Sequence, residues 1–254
     1  MQIHHFEQGL RGRVALVTGA AVGNGRAFCE RLAEEGARIV IADIADATQT
    51  AEAVRRIGGE VLAIQADLTK PCDVERMMDC IIAHWGGVDI LVHNVGLYEE
   101  EPFELLTFEQ WQHMLDVTLN SLFLTVKAVL PSMKQRGFGR IIALSSDTVW
   151  LGMPYLVHYV TAKMGIIGFV RSLAAEVGRY GITVNAITVG LTATQRPNAS
   201  PLSQTILEHI LPTQAVHRAD EPEDIANVVA FLALPASGII TGQTINVDGG
   251  VARH

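Results

Sequence analysis

The sequence has 254 residues, of which 49% are hydrophobic and 18% are charged, and its net charge is −8. That length is enough for one α/β domain with a large buried core. The acidic balance argues against nucleic-acid binding, which needs a basic surface, and against a polybasic contact with a membrane.

The cysteines and the N-terminus predict a reduced, cytoplasmic protein. Cys29, Cys72 and Cys80 form no C-x-x-C pair, which is typical of free thiols rather than of a disulfide framework. Residues 1–12 contain no apolar run of the signal-peptide kind, and no segment approaches the ~18 apolar residues of a membrane span. The nine histidines include no H-E-x-x-H motif and no Cys/His cluster, so we expect no metal site.

Short apolar runs rich in β-branched residues alternate along the chain with segments of helical periodicity. The predicted strands are Val14–Thr18, Arg38–Ala42, Val61–Gln65, Asp89–Val92, Arg140–Leu144, Thr183–Ile187 and Thr244–Val247. The predicted helices are Gly25–Glu35, Ala47–Ile57, Cys72–Trp85, Phe108–Lys134, Tyr155–Gly178 and Pro222–Leu234. The strands are continuously apolar, which is typical of parallel strands covered by helices on both faces.

This alternation implies right-handed βαβ units. We therefore expect an α/β fold with a Rossmann-type, doubly wound parallel sheet of seven strands, in a single domain over residues 1–254. Gly190–Arg218 is the one long irregular stretch, rich in Thr, Pro, Ser and Gln. A loop of that length in a compact domain predicts a substrate-binding segment, with a plain surface loop as the alternative.

A glycine-rich turn, Thr18–Gly25, follows the first strand and opens the first helix. Its glycines, Gly19, Gly23 and Gly25, have the spacing G-x-x-x-G-x-G. Such a turn lets backbone N–H groups approach a pyrophosphate, whose charge the helix N-terminus favours. Glycines also serve simple strand-to-helix packing, so the turn alone leaves both interpretations open.

Asp43 ends the second strand, where a βαβ unit places the adenosine ribose of a dinucleotide. A carboxylate there can accept hydrogen bonds from both ribose hydroxyls. It would repel a 2′-phosphate by about 4 kcal/mol at ~4 Å and an effective dielectric of ~20. No Lys or Arg lies between Gly19 and Gly25 to offset this repulsion, so the sequence predicts NAD rather than NADP.

The catalytic candidates are Tyr159 and Lys163, which share a helix face at i and i+4. Free tyrosine is only about 0.1% ionised at pH 7, and a nearby lysine cation favours the phenolate that a base requires. Ser146 follows the fifth strand and could present its hydroxyl to a substrate oxygen. Asn120 is an unfavourable residue inside a predicted helix, which indicates a functional role or a kink.

In this order and spacing, these motifs resemble the short-chain dehydrogenase/reductase family over the whole chain. The shared features are the glycine turn, Asp67, the segment 93–96, Asn120, Ser146, Tyr159, Lys163, Gly190, Thr194 and the segment 246–250.

The resemblance implies catalytic roles for four residues. Asn120 would hold a water of a proton relay, Ser146 would position the substrate oxygen, and Tyr159 would be the acid/base. Lys163 would bind the nicotinamide ribose and lower the tyrosine pKa. The implied cofactor-binding set is Gly19, Gly23, Asn24, Gly25, Asp43, Asp67, Leu68, Asn94, Gly96, Tyr159, Lys163, Gly190 and Thr194.

The chain departs from the family pattern at several positions. Asn24 replaces the usual isoleucine or leucine, His93 and Val95 replace Asn and Ala of N-N-A-G, and Val189 replaces a proline. A narrower similarity to bacterial 1-phenylethanol dehydrogenases lies in residues 106–111, the Trp150-Leu151 pair and the Arg253-His254 ending.

The implied reaction is reversible oxidation of a secondary alcohol to a ketone by an NAD-dependent enzyme. The predicted substrate pocket is Ser146, Trp150, Met153, Tyr155, Tyr159 and Leu191, which are mostly apolar and favour an apolar or aromatic small molecule. One alternative is a 3-oxoacyl-carrier-protein reductase, against which Asp43 and the acidic charge argue. Another is a non-catalytic NAD-sensing or scaffold protein. The family resemblance also implies a homotetramer.

Overall fold

The computed structural model describes residues 9–192 and 211–253. Its strands are β1 (Val14–Thr18), β2 (Arg38–Asp43), β3 (Val61–Gln65), β4 (Ile90–His93), β5 (Gly139–Ser146), β6 (Ile182–Val189) and β7 (Thr244–Val247). Its α-helices are α1 (Gly23–Glu34), α2 (Thr48–Arg56), α3 (Pro71–Trp85), α4 (Phe108–Leu115), α5 (Ser121–Arg136), α6 (Thr148–Leu151), α7 (Val157–Val177) and α8 (Pro222–Ala233).

All seven strands form one parallel sheet in the order β3-β2-β1-β4-β5-β6-β7. The order reverses between β1 and β4, so the loops that leave these two strands diverge. A crevice opens at such a switch point, outside the carboxyl ends of the strands. The predicted Rossmann-type sheet is confirmed, and the switch point directs attention to the ends of β1, β4 and β5.

Two apolar layers cover the sheet, because alternate residues of each strand face opposite sides. Ala15 and Val17 of β1 join a core cluster with residues of α1, α2 and α8. Val14 and Leu16 join a second cluster with residues of α3, α5 and α7. The sheet is therefore buried on both faces, which explains its continuously apolar strands.

The predicted helix Phe108–Lys134 is interrupted where Asn120 lies. Between α4 and α5 the backbone adopts five π-helical residues, Asp116–Asn120. Thr107 starts α4 with a capping box, in which its hydroxyl accepts from Gln110 N–H while the Gln110 side chain accepts from Thr107 N–H. A π-helical segment inside an α-helix often marks a functional site.

Residues 108–136, which were not expected to include a membrane-span candidate, form 29 helical residues that contain an 18-residue window of mean hydropathy 1.3. By length and composition alone, that window suffices to cross a membrane. Its α5 part packs Leu122, Val126 and Val129 into the core cluster under the sheet. Core helices of soluble proteins meet the same criterion.

Two predicted strands were too short, and one helix was missed. β5 and β6 each have eight residues and reach Ser146 and Val189, because polar Ser145, Ser146 and Thr188 continue the ladder. The short helix α6 follows at once, and α7 begins at Val157 rather than at Tyr155. Tyr155 has a positive φ of 64° and therefore lies in a turn.

Candidate active site

The glycine turn has no room for side chains at its two ends. Gly19 has a φ of 62°, and a Cβ on it would lie 3.1 Å from the Cα of Val95. A Cβ on Gly25 would lie 2.4 Å from the carbonyl oxygen of Gly19. Asn24, in the first turn of α1, has a buried Oδ1 without a hydrogen-bond partner among the described residues. This close-packed cradle at a helix N-terminus fits the pyrophosphate of a dinucleotide.

Asp43 lies against this turn. Its Oδ2 accepts a hydrogen bond from Ala21 N–H at 2.8 Å, and its Oδ1 accepts one from Ala45 N–H at 2.9 Å. Both bonds fix the carboxylate at the end of β2, beside the turn. Carboxylate oxygens have further lone pairs, so the group can still accept hydrogen bonds from ribose hydroxyls.

A cleft of about 290 Å³ next to Asp43 is lined by Asp67, another residue of the predicted cofactor-binding set. The Asp67 carboxylate accepts from the hydroxyl of Thr69 at 2.7 Å and pairs with Lys70 at 3.1 Å; the Thr69 bond is the main cause of its lowered pKa. Arg76, which also lines the cleft, pairs with Asp73 at 3.1 Å. Both cations of the cleft are thus paired with carboxylates. Leu68 is buried beneath this segment.

Asn94 ties the end of β4 to the glycine turn. Its Nδ2 donates to Gly19 O at 2.7 Å, and its backbone N–H donates to the hydroxyl of Thr18 at 3.1 Å. His93, which replaces the asparagine of the family pattern, also contacts the glycine turn through its neighbour Thr18. The buried imidazole bonds to Thr18 Oγ1 at 3.4 Å and to Ser121 Oγ at 3.2 Å. Burial, with a smaller effect from Lys163, lowers the His93 pKa to about 3.

Lys163 is held at the end of β5. Its Nζ donates to Leu144 O at 2.8 Å, and its own carbonyl oxygen accepts from the hydroxyl of Ser145 at 2.8 Å. The ammonium lies 5.8 Å from the ring centroid of Tyr159, whose side chain is 9% exposed. Burial lowers the Lys163 pKa to about 8. Tyrosine and lysine therefore lie together beside β5, as their i, i+4 spacing predicts.

Ser146 ends β5 and is buried. Its Oγ accepts from the hydroxyl of Thr148 at 2.9 Å and from Thr148 N–H at 3.3 Å. It donates to Oδ1 of Asp147 at 3.3 Å. All three bonds lie within the turn that starts α6, so this turn sets the orientation of the serine hydroxyl.

Asn120 does not join this group, which corrects its predicted place. Its side chain is exposed, and its Nδ2 donates to Asp116 Oδ1 at 2.6 Å. Thr118, two residues earlier in the π-helical segment, is fully buried instead. A Cβ on Gly96 would lie 3.1 Å from Lys163 Nζ and 3.9 Å from Thr118 Oγ1. The π-helical backbone thus turns position 118 towards the lysine and position 120 towards solvent.

The predicted substrate pocket gains one aromatic residue that sequence reasoning missed. The ring of Tyr98, in the loop after β4, lies 5.2 Å from that of Tyr159 in an edge-to-face arrangement, and its side chain is 41% exposed. Its position two residues after Gly96 was the available signal. Of the other predicted pocket residues, Met153 and Tyr155 are exposed and shortly precede α7 in the chain, and Leu191 is partly buried.

Two further predicted residues, Trp150 and Gly190, lie near the end of β6. Trp150 is partly buried, and its Nε1 donates to Thr188 Oγ1 at 3.4 Å. Gly190 donates its N–H to Val247 O at 3.0 Å. Thr194 and most of the predicted substrate loop lie outside the described residues. In the described part of the chain, no cluster of three or more His, Cys, Asp or Glu residues could hold a metal ion.

Comparisons with known proteins identify relatives that match nearly the whole chain. A family model described as Enoyl-(Acyl carrier protein) reductase matches residues 19–252. The chain is 36% identical over 249 residues to a 3-oxoacyl-[acyl-carrier-protein] reductase of Synechocystis sp., with 95% of this chain and 98% of the relative covered. It is 38% identical over 245 residues to a (2S)-[(R)-hydroxy(phenyl)methyl]succinyl-CoA dehydrogenase subunit of Thauera aromatica, with 95% and 97% covered.

A solved structure leads to the same family. The short-chain dehydrogenase/reductase from Serratia marcescens superposes with a TM-score of 0.88 at 32% sequence identity, covering 96% of this chain and 100% of that one. Fold, motif order and these relatives agree over nearly the whole length. The chain belongs to the short-chain dehydrogenase/reductase family of oxidoreductases.

Proposed function

We propose that this chain is an NAD(H)-linked oxidoreductase that interconverts a carbonyl compound and its secondary alcohol. The observation that carries the proposal is the buried Lys163 ammonium, 5.8 Å from the Tyr159 ring centroid. Ser146, at the end of the same strand that binds Lys163, supplies a hydroxyl for the substrate oxygen.

In this mechanism Tyr159 moves the proton. Making a tyrosine a useful base near pH 7 requires a pKa shift of about three units, or about 4 kcal/mol. The buried Lys163 cation favours the phenolate of Tyr159. Tyr159 takes the hydroxyl proton during alcohol oxidation and returns it during carbonyl reduction. The Ser146 hydroxyl donates a hydrogen bond to the substrate oxygen, where negative charge develops.

A nicotinamide dinucleotide, when bound, supplies the hydride acceptor or donor. Gly19, Gly25 and Asn24 would hold its pyrophosphate, and Asp43 would hold its adenosine ribose. The Asp43 carboxylate supports NAD over NADP because it repels a 2′-phosphate. Lys70 and Arg76 are paired with Asp67 and Asp73, so a 2′-phosphate would have to compete with these two carboxylates for them.

The leading substrate class is a 3-oxoacyl thioester. The relatives named 3-oxoacyl-[acyl-carrier-protein] reductase support this alternative better than the apolar or aromatic ketone that the pocket composition predicted. Glu99, Glu100 and Glu101 follow Tyr98 beside the site and would repel an acidic carrier protein. A coenzyme A thioester presents the same 3-oxoacyl group without that protein, so it tests the acyl chemistry separately.

A second candidate is an aryl alcohol or ketone, which one observation favours. The exposed ring of Tyr98, edge-to-face with Tyr159, can pack against a planar aromatic group beside the reacting oxygen. The Thauera aromatica relative is named for a substrate with both a phenyl group and a coenzyme A thioester. The two candidate classes therefore share the same base and differ in the group that carries the carbonyl.

A turnover panel tests these proposals. Reduction of acetoacetyl-CoA and of acetophenone, and oxidation of both 1-phenylethanol enantiomers, are measured with NAD(H) and with NADP(H). We expect turnover of at least one class, with NAD(H) preferred. Equal or better use of NADP(H) would contradict the cofactor proposal. Binding of NADH without turnover of any substrate would favour the non-catalytic alternative.

Assembly and location remain predictions. The family resemblance supports a homotetramer, and the reduced cysteines support a cytoplasmic location. Light scattering coupled to size-exclusion chromatography measures the first, and cell fractionation measures the second.

A further inference from the structure

Three buried carboxyl groups meet behind the catalytic serine. Asp147 follows Ser146, Asp220 precedes α8, and Asp248 follows β7. They are 7%, 4% and 2% exposed, respectively. A Cβ on Gly190 would lie 2.5 Å from Asp220 Oδ2 and 2.9 Å from the Cα of Asp248, so these two residues pack against the backbone just after β6. Asp147 adjoins the same backbone, since its N–H donates to Val189 O at 3.1 Å.

The described surroundings contain little positive charge. Asp248 accepts from Gly250 N–H at 2.8 Å and from Ala252 N–H at 2.7 Å. Asp220 Oδ2 has no hydrogen-bond partner among the described residues, and its Oδ1 accepts from Gln214 at 3.4 Å. Burial raises the Asp220 pKa, and the charge of Arg218 opposes this rise. However, the Arg218 guanidinium is exposed and donates to the Asp224 carboxylate at 2.6 Å.

Asp147 is also the group to which the catalytic serine donates its one hydroxyl proton, at 3.3 Å. The other bonds of Ser146 are ones in which it accepts, from Thr148. An ionised carboxylate is a stronger acceptor than a neutral substrate oxygen. Ser146 can therefore donate to the substrate only where Asp147 releases its hydroxyl hydrogen.

We propose that Asp147 is a positioning residue whose proton directs the Ser146 hydroxyl towards the substrate, and that Asp220 and Asp248 keep this proton on Asp147. With Asp147 protonated, its carboxyl group no longer competes for the serine hydrogen and can itself donate to Ser146 Oγ. With Asp147 ionised, the serine hydrogen points to the carboxylate. This inference rests on the proposed function, in which Ser146 holds the substrate oxygen.

The electrostatics agree with the geometry. Burial raises the pKa of Asp147 to about 6, and the nearby Asp248 and Asp220 carboxylates raise it further. Burial likewise raises the pKa of Asp220 to about 6, with a contribution from Asp248. The carboxyl group is protonated below this pKa, so the serine is free to donate on the acidic side and is held by Asp147 on the alkaline side.

The kinetic test follows kcat/KM for NADH-linked reduction of acetoacetyl-CoA, or of acetophenone where that is the substrate, from pH 5 to 9. Wild type should lose at least tenfold as pH rises through about 6. Asp147→Asn mimics the neutral carboxyl and should abolish this break. Asp220→Asn removes a neighbouring charge and should move the break to lower pH. A wild-type break that persists unchanged in Asp147→Asn would overturn the proposal.

A second measurement needs no turnover. Asp carboxyl carbons labelled with ¹³C report the titration of Asp147 by NMR, with Asp147→Asn identifying its signal. Because the Ser146 bond lowers the Asp147 pKa, Ser146→Ala should raise that pKa. An unchanged titration would show that the two groups are not coupled. Loss of turnover in Ser146→Ala tests the serine role separately, so failure of the proposed function is distinguishable from failure of this inference.

Discussion

Lys163 donates a hydrogen bond from its buried ammonium to the carbonyl oxygen of Leu144, 2.8 Å away at the end of β5. This bond fixes the cation relative to the sheet as well as to its own helix. It therefore connects the base on α7 with the strand that carries Ser146.

Replacing Lys163 with methionine should remove most of the turnover. Without the cation the phenolate of Tyr159 loses its electrostatic support, and we expect kcat to fall at least ~100-fold, within the range of general acid–base catalysis. Steady-state kinetics measures the loss. Lys127→Met, on the exposed side of α5, is the matched control and should retain kcat. A similar kcat in both variants would contradict the role of the lysine.

Tyr159→Phe should abolish turnover and leave NADH binding measurable, because it removes only the hydroxyl that exchanges the proton. Fluorescence titration of NADH checks binding, and thermal unfolding checks the fold. Tyr180→Phe removes a hydroxyl from a partly buried tyrosine that follows α7 and belongs to none of the predicted site residues, so it is the control. Near-normal activity of Tyr159→Phe would contradict the proposal that the Tyr159 hydroxyl transfers the proton.

Asp43→Asn should reduce the preference for NAD over NADP at least tenfold, because it deletes the charge that repels a 2′-phosphate. The amide oxygen can keep one of the two backbone bonds that orient this side chain. The ratio of kcat/KM values for the two cofactors measures the effect. Asp46→Asn, an exposed acid in the same loop, should leave that ratio unchanged.

Thr118→Val should lower kcat, whereas Asn120→Ala should change it by less than about twofold, because only Thr118 is turned towards Lys163. Thr118→Asn places a longer hydrogen-bonding side chain there and should retain more activity than the valine variant. The test is steady-state kcat of the three variants, compared after thermal unfolding has shown that their melting temperatures are equal. A large loss in Asn120→Ala alone would restore the role that the sequence predicted for Asn120.

His93→Asn should make the protein less sensitive to acid. The folded-state pKa of His93 is lowered to about 3, so only the unfolded chain takes up this proton as pH falls below about 6.5. Stability therefore falls with pH in that window by up to about 1.4 kcal/mol per unit, or about 2 kcal/mol between pH 6.5 and 5.

Urea unfolding of wild type and His93→Asn at pH 7 and pH 5 measures this difference. The variant should lose less stability between the two values than wild type. His84→Asn, at an exposed position of α3, is the control and should behave like wild type. Equal losses in wild type and His93→Asn would contradict the burial argument.

The sequence predicted the sheet well because its strands are buried on both faces. When continuous apolar runs such as Ile39–Ala42 alternate with helices along a chain, they usually form buried parallel strands. The sequence could propose the glycine turn, Asp43, Ser146, Tyr159 and Lys163 as site residues because each follows a strand end or shares a helix face. Local spacing suffices for such residues.

Other features depend on backbone geometry that local spacing does not encode. Asn120 was predicted because asparagine is unfavourable inside a helix, whereas the structure buries Thr118 on the same face as Met114 and leaves Asn120 exposed. The Asp147, Asp220 and Asp248 group assembles from three distant segments. The contact of Tyr98 with Tyr159 needs the path of a loop, which periodicity does not predict.

The parallel bridge between Thr192 and Asp220 brings together the chain segments that precede and follow residues 193–210. Gly190 is pinned to Val247 at one end, and Val216 donates to Gly249 O at the other. A flexible segment inserted between these anchors would cost only about 0.6 kcal/mol more to close when its length is doubled. Exchange of residues 193–210 for segments of other lengths should therefore leave the sheet stable, so that substrate range can be altered through this part of the chain alone.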